Sequence, residues 1–182
     1  MKKLFTLLLV MMIAFHIKAQ KSTTIYLVRH AEKVTTDPAN KDPLLTKKGQ
    51  ARALTLAKKL KKQKLSAIYC TDYQRIKLTA QPIAEKQNLT IQIYDPKNLK
   101  AFAEKVVLDN QGKQILIVGH SNTVLETIEA LGGKRPITTI SDNEYDYFFT
   151  VEISVAGLVN VKFGHYGDKT ESSVSSYEMK VN

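Results

Sequence analysis

Short apolar runs alternate along the chain with longer stretches of helical period. Thr24–Arg29 (TIYLVR) is a continuous β-branched and aliphatic run, the pattern of a buried strand. Val34–Pro43 is polar, holds two prolines and reads as a loop. Thr46 is suited to cap a helix over KKGQARALTLAKKLKKQ. There Ala53, Leu56, Ala57 and Leu60 share one face, while Lys58, Lys59, Lys61 and Lys62 lie largely opposite. Ala67–Cys70 predicts a second strand. Thr71 or Asp72 would cap a helix from about Tyr73 to Lys86, with a kink or break at Pro82. Leu89–Ile93 alternates as a strand does, Asn98–Leu108 has helical period, and Gln114–Gly119 (QILIVG) is a strongly apolar strand. Asn122–Leu131 predicts a helix closed by Gly132–Gly133. Tyr147–Val155 and Val159–His165 would pair as strands around Ala156–Gly157. The tail from Asp168 is Ser-rich and has no clear pattern.

Strands that alternate with helices predict an α/β fold. The expected form is a three-layer αβα sandwich with a mostly parallel central sheet and an antiparallel C-terminal edge. No internal repeat or interdomain linker interrupts it, so residues 20–182 are expected to form one domain. The length of 182 residues suits that reading, since two domains would each be undersized. A hydrophobic fraction of 43% excludes wholesale disorder.

Residues 1–19 have a different pattern. Lys2 and Lys3 precede an apolar run, Leu4–Phe15, that is short for a membrane span. Ala19 suits a cleavage site, though Ile17 is large for its position, and no cysteine follows to carry a lipid anchor. A cleavable signal peptide is expected, cut near Ala19/Gln20, with a periplasmic or secreted mature protein that has no membrane contact. The alternative is an uncleaved anchor or a buried helix. Cys70 is the single cysteine, which excludes an internal disulfide framework and any multi-thiolate metal site.

Charge narrows the function classes less than it first suggests. Lys and Arg total 27 against 17 Asp and Glu, a net charge of +10. Residues 1–19 carry three lysines and no acids, so their removal lowers it to +7. The helix-face lysines lack interleaved aromatics, and no nucleic-acid motif is present, so no nucleic-acid partner is expected. Nothing in the pattern sets the oligomeric state.

The candidate chemistry gathers where ligands bind in open α/β sheets, beyond the carboxyl ends of strands. One strand ends in Arg29-His30, and the strand Gln114–Gly119 is followed by His120. Arg75 lies one helical turn past the second strand. Two guanidinium forks and two imidazoles suit a phosphoryl group, whose oxygens match the fork of arginine donors. No P-loop and no metal-ligand spacing such as HExxH is present. His165, near the end of the last strand, reads as a surface residue.

Four ordered blocks carry a resemblance. IYLVRHAEK (Ile25–Lys33) resembles the Arg-His-Gly signature of the histidine phosphatase, or phosphoglycerate mutase-like, superfamily. LTKKGQARA (Leu45–Ala53), IYCTDYQRIKLTAQPIA (Ile68–Ala84) and IVGHSNT (Ile117–Thr123) are similar to its later blocks. The small phosphohistidine phosphatase branch is the most similar, here with an export signal added. The resemblance implies that His30 is the nucleophile, that Arg29 and Arg75 bind phosphate, and that His120 is the second pocket histidine. It implies no metal and no other cofactor. Thr79 and Ala80 fall on motif positions read as helix packing. Asn122 would either donate to the phosphate or cap its helix, and Lys33 would lie at the rim.

Two departures stand out. Ala31 replaces the usual glycine, which is tolerable if φ there stays negative. Ser121, following His120, excludes one of the family's two arrangements of the general acid. Glu32 and Glu104 are the ranked candidates, and Asp95 lies nearby. The expected function is a metal-independent phosphatase acting on a small phosphorylated substrate, a phosphomonoester or phosphoramidate, through a phosphohistidine. The alternative is a non-catalytic module that binds a phosphorylated ligand. A mutase would need longer substrate-enclosing segments.

Overall fold

A computed structural model describes residues 21–170. The signal-peptide reading of residues 1–19 and most of the C-terminal tail lie outside the described residues. β1 (Thr23–Arg29), β2 (Leu65–Cys70), β3 (Ile91–Ile93), β4 (Gln114–Gly119), β5 (Tyr147–Ile153) and β6 (Val159–His165) form one sheet in the order β3-β2-β4-β1-β5-β6. The first three pairings in that order are parallel and the last two antiparallel. Four helices connect the strands: α1 (Lys47–Lys59), α2 (Gln74–Gln87), α3 (Leu99–Asp109) and α4 (Ser121–Ala130). None of the described helices is long and apolar enough to cross a membrane.

The strand side chains sort by parity. Ile25, Leu27, Ile115 and Ile117 face α3 and α4, packing with Phe102, Val106, Leu125 and Ile128. Tyr26, Val28, Leu116 and Val118 face α1 and α2, packing with Leu56, Leu60, Ile76 and Ile83. The three-layer expectation holds. Burial on both faces is why β1 and β4 read as unbroken apolar runs rather than alternating ones.

Several predicted boundaries shift. α1 stops at Lys59 instead of running through the lysine cluster. Leu60 turns into the core, and Gln87 Nε2 donates to the carbonyls of Leu60 and Gln63 at 3.3 and 2.8 Å. α2 runs unbroken through Pro82. A mid-helix proline costs about 3 kcal/mol, and each fully buried isoleucine contributes about 2–3 kcal/mol. Ile76 and Ile83, both fully buried, outweigh that loss together with Ala80 and Ala84. Tyr73, not Thr71 or Asp72, stands at the N-cap of α2, and its side chain makes no capping bond. Thr71 is instead fully buried under the site.

Gly49 has a packing reason. The first turn of α1 lies against the backbone after β1, where a Cβ at residue 49 would meet Glu32 O at 2.2 Å. Thr46 accepts from Gly49 N–H at 3.0 Å, as expected of the cap, and Thr46 N–H donates to that same Glu32 carbonyl at 2.9 Å.

Candidate active site

Parallel pairing of β1 with β4 builds the site. The register sets Arg29 opposite Gly119, and His30 N–H donates to Gly119 O at 2.9 Å. His30 and His120, 90 positions apart in the chain, therefore emerge side by side, with ring centroids 5.9 Å apart. β2 flanks β4 on its other side, so Thr71 reaches His120, with Oγ1 2.9 Å from Nε2. The order β2-β4-β1 brings the ends of three strands to one mouth, the location expected for ligands in such sheets.

An open cavity of about 540 Å³ lies there, lined by Arg29, His30, Lys33, Arg75, His120 and Asn122, with Thr35, Ser121, Asp142, Asn143 and Tyr145 at its sides. Arg29, His30 and Arg75 are buried in its floor. Arg29 Nη1 donates to Ser141 O at 2.7 Å and Glu144 O at 2.9 Å, and the guanidinium lies 4.2 Å from the Tyr145 ring centre. Arg75 lies 4.4 Å from the ring of Tyr73, whose edge meets His120. Both arginines leave a buried Nε–H without a partner. Buried donors without partners are costly, and a bound oxyanion is the natural acceptor for a guanidinium.

The tautomer of His30 follows from its side-chain hydrogen bond. Nδ1 lies 2.8 Å from Ala31 O, which can only accept, so Nδ1 carries the proton and Nε2 keeps its lone pair. Burial first, and the charges of Arg29, Arg75 and His120, push His30 down to about 3 against the partial support of the Ala31 carbonyl. Burial and the same two arginines push His120 down to about 4. Both rings are neutral at physiological pH, as a nucleophilic imidazole requires.

These depressed values also bear on stability. The unfolded chain takes up protons near pH 6.5 that the folded site refuses, so stability present above that pH is lost as pH falls toward 3–4. The melting temperature should drop through this window. Inorganic phosphate, by neutralising the arginines, should restore part of it. Calorimetry at pH 7.5 and 4.5, with and without phosphate, measures both effects. A flat profile would contradict the burial of the two rings.

The remaining predicted residues fall in different places. Ala31 is fully buried against Leu45 and Ala53 and is not among the residues with positive φ, so alanine fits where the family prefers glycine. Thr79 does more than pack. Its Oγ accepts from Ala31 N–H at 2.9 Å and donates to Arg75 O at 2.7 Å, tying the loop after His30 to the helix that carries Arg75. Ala80 is buried in the core. Asn122 lines the cavity but does not cap α4, because His120 occupies the N-cap.

Neither ranked acid candidate lines the cavity. The Glu32 carboxylate turns away to accept three hydrogen bonds of 2.8–3.1 Å from the buried Arg52. Glu104 is exposed on α3. Asp142, on the irregular segment between α4 and β5, is the carboxylate that does line it. His165 pairs with Asp146 at 3.0 Å, away from the cavity, and burial pushes the Cys70 thiol up to about 12. Among the described residues no group of three His, Cys, Asp or Glu side chains could hold a metal ion.

This fold and site define a class. The family model of the histidine phosphatase superfamily (branch 1) matches residues 25–96, the stretch that holds the first three of the four blocks; the fourth, Ile117–Thr123, lies beyond the match. The solved structure of the protein histidine phosphatase SixA, complexed with tungstate, is 17% identical at a TM-score of 0.60, over 79% of this chain and 95% of that one. A mycobacterial glucosyl-3-phosphoglycerate phosphatase is 10% identical at 0.65, over 80% and 99%. A phosphoglycerate mutase from Bacillus anthracis is 16% identical at 0.60, over 79% and 92%. At these identities the likeness is one of fold. No curated protein matches the chain in sequence.

Proposed function

We propose that this protein is a metal-independent phosphatase that hydrolyses a small phosphomonoester or phosphoramidate through a phosphohistidine at His30. Superfamily members are phosphatases or mutases, and hydrolysis fits a cavity this open to water. The observation that carries the reading is the floor of the cavity. A neutral imidazole with a free Nε2 stands beside two buried guanidinium groups whose Nε–H bonds lack acceptors. His30 Nε2 attacks phosphorus while Arg29, Arg75 and His120 hold the equatorial oxygens. Water then attacks the phosphohistidine and releases phosphate. Phosphoryl transfer needs in-line placement and neutralisation of charge, which arginines supply without a metal. Tungstate, the tetrahedral anion in the SixA structure, should compete for the same floor.

The test is turnover of 4-nitrophenyl phosphate in EDTA, inhibited by tungstate, with an acid-labile phosphoprotein trapped during the reaction. Phosphate binding without turnover across a panel of esters would sink the catalytic reading and leave a phospho-ligand-binding module.

A further inference from the structure

An alkoxide leaves phosphorus slowly unless it is protonated, so a phosphatase for alkyl esters needs a proton donor at the mouth of its pocket. In-line attack from His30, on the buried floor, sends the leaving group outward. Beyond the two histidines and two arginines, the cavity is lined by Lys33, Thr35, Ser121, Asn122, Asp142, Asn143 and Tyr145, and the hydroxyls of Thr35 and Ser121 are far too weak as acids to serve. The amides of Asn122 and Asn143 cannot serve, and burial raises the Tyr145 phenol above its usual value. Tyr145 is also committed to covering Arg29 at 4.2 Å. The Lys33 ammonium suits attraction of the anion better than proton delivery.

Asp142 differs from all of these. Its side chain is fully exposed at the mouth, with Oδ1 3.9 Å from Arg29 Nη2. The backbone on either side is pinned, because Arg29 Nη1 grips Ser141 O and Glu144 O. The carboxylate is thus carried by a held segment, directly above a phosphate ligand. A phosphoryl dianion on Arg29 would take over the guanidinium and release Asp142 from its ion pair.

We propose that Asp142 is the proton donor to the leaving group, an assignment that rests on the phosphatase reading above. As His30 Nε2 forms its bond to phosphorus, the bond from phosphorus to the ester oxygen breaks. The Asp142 carboxylate, released from Arg29 and set beside the bound phosphoryl dianion, takes a proton from solvent water before this step; it gives that proton to the ester oxygen and is a carboxylate again. In the second step the carboxylate takes a proton from the attacking water, the P–N bond breaks and His30 Nε2 regains its lone pair; as phosphate leaves, Asp142 gives that proton to solvent and pairs with Arg29 again.

The test compares wild type with Asp142→Asn on two esters, 4-nitrophenyl phosphate and glycerol 1-phosphate. kcat/KM is the right reading because it covers phosphorylation of His30 and not its hydrolysis. The substitution is isosteric and fully exposed, so folding is preserved, and the melting temperature verifies this. Nitrophenolate leaves without help, so kcat/KM on that ester should change little. On the alkyl ester it should fall by roughly 10²-fold. Equal losses on both esters, or no loss on either, would overturn the assignment. A Lys33→Met variant that reproduces the selective loss would move the role to Lys33. Wild type inactive on both esters would instead overturn the phosphatase reading itself.

Discussion

His30→Ala should abolish turnover of 4-nitrophenyl phosphate, by roughly 10⁴-fold or more, and leave no trappable phosphoprotein. The size of the loss follows from the proposed role. In that mechanism Nε2 is the atom that bonds to phosphorus, and alanine offers no substitute. The fold should survive, because the imidazole makes one hydrogen bond, to the adjacent Ala31 carbonyl. The variant should even hold its melting temperature better in acid than wild type does, since a buried ring that resists protonation is gone. Tungstate should still bind, as Arg29 and Arg75 keep their unpartnered Nε–H groups. Residual turnover within tenfold of wild type would rule out His30 as nucleophile.

The parts of this molecule that follow local rules are legible in its sequence, and the parts that depend on long-range contacts are not. β1 and β4 announce themselves as apolar runs, and their parallel pairing sets Arg29 against Gly119, so the two histidine positions could be read together. Ala53, Leu56, Ala57 and Leu60 repeat at helical spacing and are all buried. The segment between α4 and β5 has no period, because Arg29 holds its carbonyls across more than 110 residues of chain. No local pattern carries that contact, so Asp142 and Tyr145 escape notice. Glu32 misleads for the same reason. Its place two residues after His30 suggests chemistry, but Arg52 on α1 draws its carboxylate away. Thr71 looks like a cap by type and position, yet its hydroxyl meets a histidine from a neighbouring strand.

Arg29→Lys should lower kcat/KM by roughly 10²–10³-fold and destabilise the fold by about 1–3 kcal/mol, whereas Arg75→Lys should lose activity with little loss of stability. The contrast arises from what each guanidinium holds in the empty site. Arg29 is 4% exposed, donates to two carbonyls at 2.7 and 2.9 Å, and lies under Tyr145. A lysine ammonium is a point charge on a flexible stem. It cannot satisfy both carbonyls and present a fork to phosphate, so the pinned segment loosens and carries Asp142 with it. Arg75 meets the protein more weakly, with Lys41 O at 3.5 Å and Asp42 at 3.6 Å, and it stacks on the half-exposed Tyr73. Its loss costs phosphate binding and leaves the loops in place. Calorimetry and kcat/KM on both variants separate the two cases. Equal destabilisation by both substitutions would contradict the hydrogen bonds that distinguish them. A larger loss of tungstate affinity at Arg29 than at Arg75 would show that holding the segment between α4 and β5 also shapes the floor on which the phosphoryl group rests.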